Sequence, residues 1–179
     1  MSEMNTDQQR QHTSEMAFAI HNVLVKELSF ETPENKTMEI FRLEWKPKLD
    51  LDLQMSSQEL EPELYEVVIH LTLTVKLPPE DKVAFLIEVK QAGLFGLKGF
   101  TPAQLERILA TSCPEVLFPY AREAVSSTAT RGGFPHLALP PVNFEAMYQQ
   151  HLANQQEGGE GQSGSGQMAN SAMAEEVIH

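Results

Sequence analysis

LYEVVIHLTLTVKLPPEDKVAFLIEVK, residues 64–90, alternates apolar and polar side chains on both sides of a short proline-containing segment. Successive residues of a β-strand point to opposite faces, so Val67, Ile69 and Leu71 share one face, and the other face is mainly polar, with Val68 between Glu66 and His70. The intervening LPPED is a tight-turn sequence. The stretch therefore predicts an antiparallel hairpin whose strands are solvated on one face.

Two more alternating stretches precede this hairpin. WKPKLDLDLQM, residues 45–55, repeats the period of two, as does MAFAIHNVLVKELSFE, residues 16–31. Strict alternation places Val25 with Glu27 and Glu31 on one side of the first strand. It gives the opposite side an apolar set of five residues, Phe18, Ile20, Leu24, Leu28 and Phe30.

The second half of the chain predicts helices. A capping box of Thr101 and Gln104 opens the first, which Pro114 closes. A longer helix ends at Gly132, and the last begins at Asn143. Strands followed by helices predict an α+β fold, a four-stranded antiparallel sheet with helices packed on one face.

The two ends of the chain differ from the middle in composition. Residues 1–15 are polar and predict a flexible N-terminal arm. Residues 155–179 hold half of the ten glycines and predict a flexible Gly/Ser/Glu-rich tail, whose last residues could form a turn or two of helix against a partner. The folded domain is expected at 16–154.

Composition narrows the classes of partner. The chain has 179 residues, 13 basic and 25 acidic, for a net charge of -12, which argues against nucleic-acid binding and favours basic partners. A single cysteine excludes an intramolecular disulfide, and no segment resembles a secretory signal or a membrane span. A soluble, cytoplasmic protein is expected.

The motifs of catalysis and cofactor binding are missing from the sequence. It contains no phosphate loop, no H-E-x-x-H and no C-x-x-C, and its six histidines are scattered. The spacing of Gly93, Gly96 and Gly99 fits no dinucleotide fingerprint and is typical of the end of a strand. Cys113 is interpreted as a small packed hydrophobe. The residues themselves therefore offer no candidate for catalysis or cofactor binding, and a zinc site is not expected.

Two surfaces stand out instead. One is the solvated sheet face, where acids surround Leu86; it is either a face that keeps the protein soluble or a docking patch. The other comes from apolar residues in loops or near the ends of elements, which are either core or a groove or subunit contact. They include Phe41, Leu43, Trp45, Phe95, Phe134, Leu137, Leu139 and Tyr148.

The motifs themselves resemble a known family. WKPKLDLDL, YEVVIHLTLT, AFLIEVKQAGLF and CPEVLFPYARE, followed by RGGFPHLALPPVNFEAMY, occur in the order and spacing of the SecB protein-export chaperones. The similarity covers about residues 16–154. It implies a homotetramer, a dimer of dimers, that holds unfolded precursor proteins in an export-competent state and passes them to the SecA motor ATPase, without enzymatic activity or cofactor.

The resemblance also implies two sets of site residues. SecA would dock on the outer sheet face through acids of the first strand and a Leu-x-Glu of the fourth. The matching residues are Glu27, Glu31, Leu86 and Glu88. The client groove would comprise Phe41, Trp45, Leu49, Leu51, Leu137, Leu139 and Tyr148. The alternatives are a stand-alone acidic interaction domain and a SecB-like chaperone that serves a toxin–antitoxin pair.

Overall fold

A computed structural model describes residues 15–33, 37–157 and 168–174. Nearly all of the arm expected at residues 1–15 lies outside them. The strands, in chain order, are β1 (Ala17–Glu31), β2 (Lys48–Glu61), β3 (Leu64–Leu77), β4 (Lys82–Lys98) and β5 (Met168–Ala174). The helices are α1 (Thr37–Ile40), α2 (Pro102–Ala110), α3 (Ser112–Arg131) and α4 (Phe144–Glu157).

The sheet confirms the four-stranded antiparallel prediction and adds one strand. Its order is β1-β4-β3-β2-β5, with every neighbouring pair antiparallel. Along β3 the residues Val67, Ile69, Leu71, Leu73 and Val75 are buried, while those between them are half-buried. This inner face carries the core, and the polar residues predicted to be solvated lie on the outer face.

Two β-bulges in β1 exchange the faces predicted by strict alternation over residues 22–25. The register of β1 on β4 shifts between Ile20 and Asn22 and again between Val25 and Glu27. Each extra residue exchanges the two faces, so Val25 lies opposite the buried Gln91 on the inner face and Leu24 lies on the outer face. The prediction for Leu24 and Val25 was therefore wrong. The second shift restores the predicted faces from Glu27 onward.

The β4 strand is longer than predicted. It continues through Gly93 and Gly96 and ends at Lys98, and Gly99, the next residue, adopts a positive φ of 74°. A side chain at Gly93 would overlap Leu117 of α3 and Phe95. Gly93 therefore allows the helix and a large aromatic ring to approach the strand closely, and it does not end the strand.

The helices pack on the inner face of the sheet, chiefly where α3 crosses β3 and β4. In α2 the side chain of Thr101 accepts from the backbone N–H of Gln104, and the Gln104 side chain accepts from the N–H of Thr101, which confirms the capping box. This helix ends at Ala110, and Pro114 lies in the first turn of α3, where proline is tolerated; the prediction that Pro114 closes the preceding helix was wrong. Asn143 caps α4 as expected, accepting from the N–H of Ala146.

The tail also differs from expectation. α4 continues to Glu157, past the predicted boundary at residue 155. Met168–Ala174, in the part of the tail for which the sequence allowed a turn or two of helix against a partner, is extended and pairs with β2 over Leu49–Met55. The free backbone N–H and C=O groups of a sheet edge can hydrogen-bond to any extended segment, without complementary side chains. The local sequence of the segment therefore does not show that it will pair there. Within the described ranges, no helix is long and apolar enough to cross a membrane.

Candidate functional site

The four residues of the predicted docking patch lie together on the outer face. Glu31 is directly opposite Leu86 in the β1–β4 register, Glu88 is opposite Ser29, and Glu27 is opposite Lys90. Directly opposed residues have Cβ atoms about 5 Å apart, and four residues along a strand span roughly 13 Å. The docking patch, meaning Glu27, Glu31, Leu86 and Glu88, is therefore small enough for one partner to contact as a unit.

The charges of the docking patch are not equivalent. Lys90 Nζ donates a hydrogen bond to Glu27, which lowers the pKa of that carboxyl and raises the pKa of the lysine. Glu31 and Glu88 form no ion pair within the described part of the chain. Two unpaired carboxylates, those of Glu31 and Glu88, thus flank the half-buried Leu86. They could pair with a basic partner without first breaking an ion pair, whereas Glu27 could not.

The second surface is built around Phe134. Its ring is 6% exposed and lies 4.5 Å from the ring of Phe85, 5.1 Å from Phe41, 5.8 Å from Trp45 and 6.3 Å from Phe30, measured between centroids. Phe41 stacks on it with an interplanar angle of 16° and is 52% exposed, while Trp45 is half-buried. These five residues are the aromatic cluster, and only Phe41 and Trp45 were predicted as groove residues.

A glycine pair makes the aromatic cluster possible. Gly133 has a φ of 85°, which turns the chain after α3 so that Phe134 returns toward the sheet. A Cβ at Gly132 would overlap the ring of Phe30. The pair was predicted only to stop the helix. Phe134, the residue that follows it, was therefore placed among the loose apolar residues and was not predicted as the centre of an aromatic cluster.

The remaining predicted groove residues fall in three places. Leu49 and Leu51 lie on β2, and Leu51 is buried. Leu137 and Leu139 line a cavity of about 700 Å³ between α3 and residues 136–139, but both are buried. Tyr148 is buried on α4, and its desolvation raises its pKa. The structure brings Phe41 together with Trp45 and Leu137 together with Leu139, and it places Tyr148 on α4 with α2 and α3 as neighbours.

Cys113 has the environment of a core residue. It is fully buried in the hydrophobic core, and burial raises the pKa of its thiol to about 12. The thiolate required of a nucleophile is therefore negligible at neutral pH. This confirms that Cys113 is a packed hydrophobe.

The comparison with known proteins decides the family. The family model described as "Preprotein translocase subunit SecB" matches residues 10–155, most of the chain. The chain belongs to the SecB family. A protein-export protein SecB of Stutzerimonas stutzeri is 50% identical over 143 residues, covering 80% of this chain and 85% of that protein. The SecB of Hydrogenovibrio crunogenus is 47% identical over 157 residues, covering 88% of this chain and 97% of that one.

The fold agrees with the family. A SecB-like chaperone of Mycobacterium tuberculosis, solved in complex with an antitoxin peptide, superposes with a TM-score of 0.56 at 18% identity, covering 70% of this chain and 91% of that one. This likeness supports the fold alone. The SecB family match and the SecB relatives make the protein a preprotein chaperone of the export pathway.

Proposed function

We propose that the chain is an ATP-independent holdase of the cytoplasm. It binds unfolded precursor proteins, keeps them translocation-competent and delivers them to the SecA motor, with no catalytic step. The observation that carries the proposal is the aromatic cluster of this SecB-family chain, in which exposed Phe41 and half-buried Trp45 lie on the buried ring of Phe134. Exposed aromatic rings held by a rigid core suit apolar client segments of varied sequence.

The client groove is proposed to begin at this aromatic cluster. Phe41, Trp45 and Leu49 have surface left to offer a client, whereas the buried Leu51, Leu137, Leu139 and Tyr148 would form the floor or the support of the groove. Many shallow apolar contacts give tolerance for different clients. Phe134 adds to the proposed groove as the ring on which the exposed residues rest.

The docking patch is proposed to bind SecA. Leu86 is already half-buried, so docking would cover only the remaining part of its surface, at most about a third, and would contribute roughly 0.5 to 1 kcal/mol or less. Each ion pair at the rim would add roughly 0.2 to 1 kcal/mol. Such a patch gives a specific but readily reversible contact, as a handover between chaperone and motor requires.

A homotetramer, arranged as a dimer of dimers, is proposed for the assembly. It is supported by the inner face of β1, which the helices leave uncovered. Phe18, Ile20, Val25 and Leu28 of that strand are 41% to 49% exposed. Beside them the buried Oε1 of Gln91 has no hydrogen-bond partner within the described residues, although Nε2 donates to the carbonyl of Leu24. A second copy packed on β1 would cover these groups, and several linked grooves would raise the avidity for one client.

The holdase proposal is tested by refolding. A chemically denatured, slow-folding secretory precursor is diluted with and without the chain at a slight excess of tetramer and no nucleotide. We expect a pronounced slowing of refolding, and the Phe41→Ala variant is expected to slow it less. An unchanged refolding rate with the native chain would overturn the proposal.

The docking proposal is tested by charge reversal. Glu88→Lys and Leu86→Gln are expected to weaken SecA binding roughly two- to tenfold, on the order of 1 kcal/mol, with client binding unchanged. Glu106→Lys, on the exposed face of α2, changes the net charge equally and is the matched control. Equal SecA affinity of Glu88→Lys and the control would contradict the docking assignment. An absence of SecA binding by the native chain would favour the stand-alone interaction domain or the toxin–antitoxin chaperone.

A further inference from the structure

The tail of the chain lies on a sheet edge that the proposed function needs. Among the first four strands of the chain, β2 lies at one edge of the sheet. β5 pairs with it antiparallel, from Leu49 opposite Ala174 to Met55 opposite Met168. The second half of β2, residues 56–61, pairs with no strand at this edge among the described residues. Seven residues of the tail thus occupy the part of the edge nearest the start of β2.

The occupied stretch coincides with the proposed client groove. It contains Leu49 and Leu51, and β2 begins three residues after Trp45 of the aromatic cluster. An extended polypeptide that leaves the aromatic cluster along this edge would pair with the same backbone N–H and C=O groups as β5 does. Strand addition of this kind obtains its affinity from main-chain hydrogen bonds, so it accepts many sequences.

We propose that Met168–Ala174 is an internal competitor that occupies the β2 edge until a client segment displaces it. The inference rests on the proposed function, since it assigns the regulation of the client groove. The sequence of the segment, MANSAMA, has no charge and no proline, as expected of a segment that pairs with an edge without side-chain selection. In the absence of a client it would also shield an exposed edge from pairing with other chains.

The connection between α4 and β5 determines how strongly the tail competes. Ten residues, 158–167, join them and can span at most roughly 36 Å. A connection this short holds the tail at an effective concentration in the millimolar range, whereas a free seven-residue strand pairs only weakly. The tail is therefore expected to weaken client binding by roughly two- to tenfold, which a client bound at several sites overcomes.

The experiment compares the full chain with a chain that ends at Glu157. Amide hydrogen exchange of residues 49–55 reports whether the edge is covered, and the fluorescence anisotropy of labelled, reduced and carboxamidomethylated α-lactalbumin reports client affinity. Ala172→Pro removes a backbone N–H and imposes a fixed φ within β5, and Ser165→Pro, outside the paired segment, is the matched control. A synthetic peptide of residues 168–174 is added to the shortened chain as a competitor.

Loss of protection at residues 49–55 and a two- to tenfold lower Kd for the shortened chain and for Ala172→Pro would support the proposal. Unchanged protection would show that the tail does not occupy the edge. Lost protection with an unchanged Kd would show that tail and client do not compete, and either result overturns the inference while the holdase stands. If neither chain binds α-lactalbumin or slows the refolding of the precursor, the proposed function itself fails.

Discussion

Replacing Phe134 by alanine should cost far more stability than replacing Phe41, although the two rings stack on each other. Phe134 is 6% exposed and has four aromatic neighbours, so the substitution loses the full transfer free energy of the ring and leaves a cavity, together about 3 to 5 kcal/mol. Phe41 is 52% exposed, so Phe41→Ala loses about half of a buried side chain and one stacking contact, roughly 1 to 2 kcal/mol.

The assay is urea unfolding followed by the fluorescence of Trp45, the only tryptophan in the chain. All variants are compared at one protomer concentration, because association adds to the apparent stability of an oligomer. Trp45 lies 5.8 Å from Phe134, so Phe134→Ala should also shift its native emission to the red as water enters the aromatic cluster. Phe41→Ala should lose only roughly 1 to 2 kcal/mol of stability and should bind clients more weakly.

Comparing the losses in the free energy of unfolding for Phe134→Ala and Phe41→Ala tests this arrangement of the aromatic cluster. If Phe134→Ala destabilises the chain by no more than Phe41→Ala does, Phe134 is not the buried centre of the aromatic cluster. The division of the groove into a rigid floor and an exposed contact layer would then be wrong. A large loss of stability in Phe41→Ala would also contradict this division, because it would show that Phe41 belongs to the rigid floor.

Three further predictions concern the ion pair of Glu27, the burial of Cys113 and the cap of α2. Lys90 lowers the pKa of Glu27 below its ordinary value of 4.5, so their pairing stabilises the fold above that pH and is lost as the pH falls through the lowered pKa. Lys90→Met should return the pKa of Glu27 toward 4.5 in a carboxyl NMR titration. An unchanged pKa in this variant would refute the pairing. Cys113, with a pKa of about 12 and no exposure, should not react with a thiol reagent at pH 8 until urea unfolds the chain, and rapid native labelling would contradict its burial. Thr101→Ala should lower the free energy of unfolding by roughly 0.5 to 2 kcal/mol through loss of the capping box with Gln104, and a neutral result would show that the cap contributes nothing.

Local patterns predicted much of the candidate site. Period-two alternation in β4 placed Leu86 and Glu88 on the outer face, and this holds because their part of the strand pairs regularly with both neighbours. Glu27 and Glu31 were also placed correctly, although for an incomplete reason. Two bulges interrupt β1 before Glu27, and each one exchanges the faces, so the errors cancel beyond the second and remain only over residues 22–25, which include Leu24 and Val25.

The sequence by itself determined the α+β class, the first four strands, the capping box of α2 and the solvated, acidic outer face. These depend on side-chain alternation and on contacts within a few residues, which can be read along the chain. Only the tertiary structure decided that Phe134 lies among rings from β1, β4 and the connection after α1, and that Met168–Ala174 reaches β2. These contacts join residues that lie between 49 positions apart, for Phe85 and Phe134, and 125 positions apart, for Leu49 and Ala174. Packing space and free backbone groups at a sheet edge select them, so no local pattern records them.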